Sequence, residues 1–206
     1  MAKYIAALKT ALFILCLLPL AHYAAGLWQD TLGANPIEAL TRGLGDWALR
    51  LLLITLAVTP LRRLSGWAWL LKLRRMLGLF AFFYASLHLI AYLWLDQFFD
   101  WAEIGRDILK RPFITVGMAT FLLLAPLAAT STKAMIRRLG GQRLIYPAAL
   151  LAVLHFTWMV KVDVREPALY GVILAVLLGL RAWWRIDDWR RPLVPRRRII
   201  PIQVRR

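Results

Sequence analysis

The sequence predicts an all-α integral membrane protein, a bundle of six transmembrane helices with both termini cytoplasmic. Three observations predict it. The chain is 61% hydrophobic over 206 residues, above the roughly 45–50% of soluble domains. Its apolar residues gather in six stretches close to the roughly 20 residues that a helix needs to cross a bilayer. The loops between those stretches alternate in charge, as the positive-inside rule requires.

The spans are expected at about residues 8–27, 46–61, 75–95, 113–130, 144–160 and 168–184. The second and fifth are short, and Trp47 and Trp158 near their ends fit an interfacial aromatic belt. The N-terminus carries Lys3 and Lys9. Asp30, Glu38, Arg42 and Asp46 make the first loop negative. Arg62, Arg63, Lys72, Arg74 and Arg75 then make the second strongly positive. Asp96, Asp100, Glu103 and Asp107 outweigh Arg106, Lys110 and Arg111 in the third, and Lys133, Arg137, Arg138 and Arg143 make the fourth positive. In the fifth, Lys161, Asp163, Arg165 and Glu166 cancel. The whole chain, 1–206, then reads as one transmembrane domain ending in a basic cytoplasmic tail, 185–206, that touches anionic lipid. Within the third loop, residues 101–109 place apolar groups at helical spacing between charges, the pattern of a short amphipathic helix on the outer surface.

The net charge of +16, from 27 basic and 11 acidic residues, would suggest nucleic acid in a soluble protein. Here the bases follow the membrane topology, so no nucleic-acid partner is expected. The lone Cys16 cannot form an internal disulfide. The first apolar stretch reads as a span, with no small-residue cleavage site after it. There is no Gly-rich phosphate loop, no Cys cluster and no Ser/His/Asp arrangement. No flavin or nicotinamide domain is appended, so electrons for any redox role must come from a separate donor.

Two of the three histidines, His88 and His155, lie inside spans. An ionisable group in lipid is costly and by default marks function. Span three should run outward from Arg75, which puts His88 about 20 Å in and about 12 Å from its outer end. His155 should lie about 9 Å from the outer end of span five, which runs the same way. At matched depth on neighbouring helices, the pair suits the two faces of a haem. Bis-His ligation would favour electron transfer over oxygen chemistry. Phe80, Phe82, Phe83, Tyr84, Phe156 and Trp158 offer aromatic walls, and Ala81, Ala85, Ala149 and Ala152 leave room. The competing reading is two unrelated polar residues, each bonded to a carbonyl across a helix interface. A haem-free transporter or scaffold with the histidines in a proton path would use them in that way. His22, near the outer end of span one, reads as interfacial. Arg50 either snorkels or pairs with a haem propionate.

Seven motifs in order carry a family resemblance. They are Leu32-Gly-Ala-Asn-Pro36, Thr55-Leu-Ala-Val-Thr-Pro-Leu-Arg-Arg63, Arg74-Arg-Met-Leu-Gly-Leu79, Tyr84-Ala-Ser-Leu-His88, Arg111-Pro-Phe-Ile-Thr-Val-Gly117, Leu127-Ala-Ala-Thr-Ser131 and Leu154-His-Phe-Thr-Trp158. The chain resembles the MsrQ (YedZ) family, haem-binding membrane subunits of bacterial periplasmic methionine sulfoxide reductase systems, within the ferric reductase-like transmembrane group. The resemblance implies a multi-pass protein of the bacterial inner membrane carrying haem b, with His88 and His155 as axial ligands of its iron. Electrons would come from the quinone pool or a cytoplasmic flavin reductase and pass to a periplasmic molybdopterin-containing reductase (MsrP-like). That partner would hold the catalytic site for methionine sulfoxide. The resemblance also implies FMN, which no motif here places. A ferric reductase or b-type cytochrome with another acceptor is the nearest alternative. One departure stands out. The family pattern Trp-x-x-Leu-His-Arg-Leu-x-Tyr before span five is replaced by Leu139-Gly-Gly-Gln-Arg-Leu-Ile-Tyr146, with Gln142 at the histidine position. One haem, not two, is the expectation that follows.

Overall fold

The computed structural model describes residues 2–131, 144–160 and 163–190. Gln142 and the end of the tail lie outside them. All regular structure among the described residues is helical. The helices are α1 (Ala2–Trp28), α2 (Pro36–Ser65), α3 (Leu71–Ile90), α4 (Trp101–Lys110), α5 (Pro112–Ala129), α6 (Ile145–Met159) and α7 (Arg165–Arg190). A 3-10 turn, Ala68–Leu70, leads into α3, and a π-helical segment, Ala91–Asp96, continues it. Among the described residues, five helical stretches are long and apolar enough to cross a membrane: Lys3–Trp28, Pro36–Ser65, Ala68–Asp96, Pro112–Ala129 and Arg165–Asp188. The remaining expected span, the fifth, is α6, apolar but only 15 residues long, or about 22 Å.

The helix that holds the expected second span starts earlier, at Pro36. Residues 36–45, expected as loop, are the first turns of α2. Asn35 caps that helix by accepting from the Glu38 amide at 3.2 Å, Pro36 fits the first helical position, and Glu38 pairs with Arg42 one turn on. The charges that suggest a loop are thus a polar end of a long helix. At its other end, Gly66 takes the left-handed conformation (φ 74°) and donates its amide to Arg62, the usual helix stop. The amphipathic helix forms as expected. Asp100 caps α4 by accepting from the Ala102 and Glu103 amides at 3.0 Å each, and Ile104 and Asp107 point into the protein.

The bundle is two helical pairs, α2 with α3 and α5 with α6, flanked by α1 and α7. Leu52, Leu56, Tyr84, Ala148 and Ala149 are almost fully buried at its centre. Backbone groups freed inside the bundle find side chains, as they must where water is excluded. Pro60 has no amide to offer the carbonyl of Leu56, four residues back. Arg181 of α7 donates to that carbonyl at 2.5 Å. Tyr84 of α3 bridges to α1: its hydroxyl accepts from the Leu20 amide at 3.1 Å and donates to the Cys16 carbonyl at 2.7 Å.

Candidate functional site

His88 projects from the last turn of α3 and His155 from the last turns of α6. The fold brings their rings together, with centres 6.2 Å apart and planes at 76°. His88 Nδ1 lies 2.8 Å from the Thr41 carbonyl of α2. His155 Nδ1 lies 2.6 Å from the Phe113 carbonyl of α5. A carbonyl only accepts, so each Nδ1 carries the proton, and the neutral ring keeps its lone pair on Nε2. The carbonyl bonds are those of the competing reading, but the two rings are neighbours.

That spacing is a test of fit for a metal. Imidazole nitrogens bind metals at about 2.0 Å, and a ring centre lies about 1.1 Å behind its nitrogen. An ion shared by two opposed imidazoles therefore separates the ring centres by about 6.2 Å. The observed distance matches. Among the described residues no cluster of three or more His, Cys, Asp or Glu could hold a metal by itself.

Both histidines line a cavity of about 390 Å³ between the two helical pairs. Its body is apolar, with Leu49, Leu52, Ala85, Phe121, Leu124 and Phe156 among its walls. Its polar end holds Asn35, Glu38, Arg42, Asp96 and Arg111. An apolar slot with a few charges at one end suits a haem, whose macrocycle is largely apolar and whose two propionates lie on one edge. Thr41 also lines the cavity, and its buried hydroxyl has no partner among the described residues. Such an unmet group is unusual in a finished structure and fits a place that a ligand completes.

The aromatic walls are partly those expected. Ala85, Ala152 and Phe156 line the cavity, but Phe80, Phe82, Phe83, Tyr84 and Trp158 do not. Phe80 faces Phe13 of α1, and Trp158 is half exposed. Phe113, Met118 and Phe121 of α5 supply wall instead. A uniformly apolar helix does not declare which face meets the ligand, so the sequence offered no signal for these. Arg50 is turned away from the cavity. Its Nε donates to Tyr170 at 2.8 Å, and its guanidinium stacks on Trp47. His22 is exposed on α1, against Tyr23. Arg42 and Arg111, read from the sequence only as loop charges, are the cations that line the site. They are paired with Glu38 at 2.5 Å and Asp107 at 3.1 Å.

A second cavity of about 310 Å³ lies at the opposite end of α2, α3 and α5, lined by Thr55, Arg74, Arg75, Phe82 and Ser131 among others. No histidine lines it among the described residues.

The description "Ferric reductase like transmembrane component" belongs to the family whose profile matches residues 44–153. That stretch includes His88 and ends two residues short of His155. A protein from Azospira oryzae described as protein-methionine-sulfoxide reductase heme-binding subunit MsrQ is 59% identical over 89% of this chain and 82% of its own length. The chain belongs to the MsrQ family. Relatives of the same description from Rhodospirillum rubrum and Xanthomonas campestris are 57% and 55% identical, over 84% and 89% of this chain and 86% and 89% of their own lengths. This family membership, with the helices above, makes the chain a multi-pass membrane protein of the ferric reductase-like group.

Proposed function

We propose that this protein is a haem b electron-transfer subunit of the bacterial inner membrane that serves a periplasmic, molybdopterin-containing methionine sulfoxide reductase. The single observation that carries the reading is the histidine pair. Both rings lie at metal-bridging separation, and both have Nδ1 engaged by a backbone carbonyl. The names of the relatives, which call those proteins heme-binding subunits, support the same assignment.

In this reading His88 and His155 would hold the iron through Nε2, the nitrogen left free when the Thr41 and Phe113 carbonyls engage each Nδ1. When bound, the haem would supply one-electron transfer. Arg42 and Arg111 sit where propionates would be met. The apolar walls exclude water and keep the site's dielectric low, which tunes potential. With only three histidines in the chain and His22 exposed, one bis-His haem is the stoichiometry proposed.

Six crossings with both termini cytoplasmic complete the proposal, with α6 as the fifth span and residues 185–206 at the cytoplasmic face. The alternating loop charges support it. The polar end of the cavity then faces the periplasm, where the acceptor lies. Quinone or a cytoplasmic flavin reductase is the donor class proposed. FMN is a further cofactor proposed from the family resemblance alone.

The test is a spectrum. Protein expressed with haem supply should give a low-spin, bis-His reduced-minus-oxidised difference spectrum. His88→Ala and His155→Ala should each abolish it. A full spectrum in both variants would refute the assignment. Co-purification of a periplasmic molybdoprotein distinguishes this reading from a b-type cytochrome with another acceptor.

A further inference from the structure

Each histidine ring rests against a glycine one helical turn beyond the carbonyl it bonds. His88 bonds the carbonyl of Thr41, and a Cβ at Gly45 would lie 3.0 Å from its Nδ1 and 3.2 Å from its Cε1. His155 bonds the carbonyl of Phe113, and a Cβ at Gly117 would lie 2.8 Å from both its Nδ1 and Cε1. Contacts this short are repulsive, since packed carbon atoms prefer about 3.5–4.0 Å. The same device therefore occurs twice, on α2 for a histidine of α3 and on α5 for a histidine of α6. Gly26 and Gly43 also pack closely, but against Leu32 and Tyr23 and not against a histidine. Gly105, Gly171 and Gly179 have nothing within 4 Å of the place a Cβ would take.

We propose that Gly45 and Gly117 are positioning residues for the two imidazoles, each forming with the carbonyl one turn earlier a notch that sets the plane of its ring. This rests on the haem reading above. The carbonyl fixes one ring nitrogen, and the bare glycine backbone lets the Nδ1–Cε1 side of the ring approach the helix. A methyl group at either position would tilt or rotate one ring. The 76° between the rings is the product of two independent notches. The angle between axial imidazole planes splits the iron d orbitals, so it governs the g values of the oxidised low-spin haem and contributes to its potential.

The experiment compares Gly45→Ala, Gly117→Ala and the control Gly179→Ala in full-length protein purified with haem. Low-temperature EPR of the oxidised form and a potentiometric titration are recorded. Both notch variants should shift the largest g value and the midpoint potential, or lose haem. The effect should be greater for Gly117→Ala, whose Cβ would be closer to its ring. Gly179→Ala should match the parent. Unchanged g values and potential in both notch variants would overturn the proposal.

Folding supplies a second arm that needs no haem. Thermal unfolding in detergent should be lowered by Gly117→Ala, and much less so when the ring is also removed in Gly117→Ala/His155→Ala, compared with His155→Ala alone. An equal loss with and without the imidazole would mean that the glycine serves helix packing only, and would also overturn the proposal. A parent protein that binds no haem but shows this coupling would refute the haem reading and leave the notch standing.

Discussion

At the scale of single residues, the chemistry rests on how two imidazoles are held. A neutral carbonyl on each Nδ1 fixes the tautomer without giving the ring the imidazolate character that a carboxylate partner would. Neither ring can be replaced by a neighbour, because the only other histidine is on the exposed face of α1. Loss of haem in His88→Ala and in His155→Ala should therefore be complete in each case. Free imidazole added to either variant should restore part of the absorbance, since the cavity and the opposite ligand remain. Thr41→Val keeps the backbone acceptor and removes only the unpartnered hydroxyl. In haem-free protein it should raise the unfolding temperature, because a buried hydroxyl without a partner costs about 1–3 kcal/mol. A fall would show that the hydroxyl has a partner the fold supplies.

At the scale of elements, side chains repair what the helix sequence leaves open. Pro60 orphans the Leu56 carbonyl, and Arg181 answers it from α7. Arg181 also donates to Tyr146 of α6 at 3.1 Å, so one guanidinium ties three helices. Arg181→Ala should destabilise the bundle by about 1–3 kcal/mol, the cost of a buried acceptor left unmet, read as a lower unfolding temperature in detergent. Tyr84→Phe tests α1 in the same way. It removes two bonds to that helix, and intramembrane bonds contribute about 0.6–2 kcal/mol each. Asp107 plays the same part on α4. It is buried on α4, accepts from Tyr92 at 3.3 Å, and pairs with Arg111. Asp107→Ala should loosen α4 and free Arg111 of its partner beside the cavity. Increased proteolysis or hydrogen exchange confined to 101–110 would report it, and unchanged exchange there would show that Ile104 alone holds the helix. The exposed Arg63–Asp188 pair, by contrast, should matter little, since surface ion pairs contribute about 0–1 kcal/mol.

At the scale of the whole molecule, the proposed orientation makes its own prediction. In a background with Cys16 replaced by Ala, a cysteine at Phe99 should react with a membrane-impermeant thiol reagent in intact spheroplasts. One at Ser65 should react only after the membrane is opened. Reaction at Ser65 in sealed cells would invert the topology. Much of the fold is legible in the amino-acid sequence. Five expected spans fall in long apolar helices, and the expected fifth, already short in the sequence, is the short apolar helix α6. The mismatch falls at the start of α2, where charged residues such as Glu38 and Arg42 imitate a loop. There a cap at Asn35 outweighs polarity, because a helix end at the membrane surface can be as charged as a loop.

Span composition, loop charge and the identity of the candidate ligands are properties of short stretches of chain. Hydropathy over one helix, or a histidine that lipid would penalise, needs no knowledge of what lies opposite. The sequence alone was therefore enough for the class of protein and for singling out His88 and His155. Partners depend instead on which helix faces meet. Arg50 finds Tyr170 across 120 residues, and His88 finds Thr41 across 47. Arg111, Phe113 and Gly117 line the site because α5 packs on α6. Each of those choices is made by close packing between elements distant in the chain, where a few ångströms separate a ligand, a wall and a lipid-facing residue. Only the tertiary structure could make them.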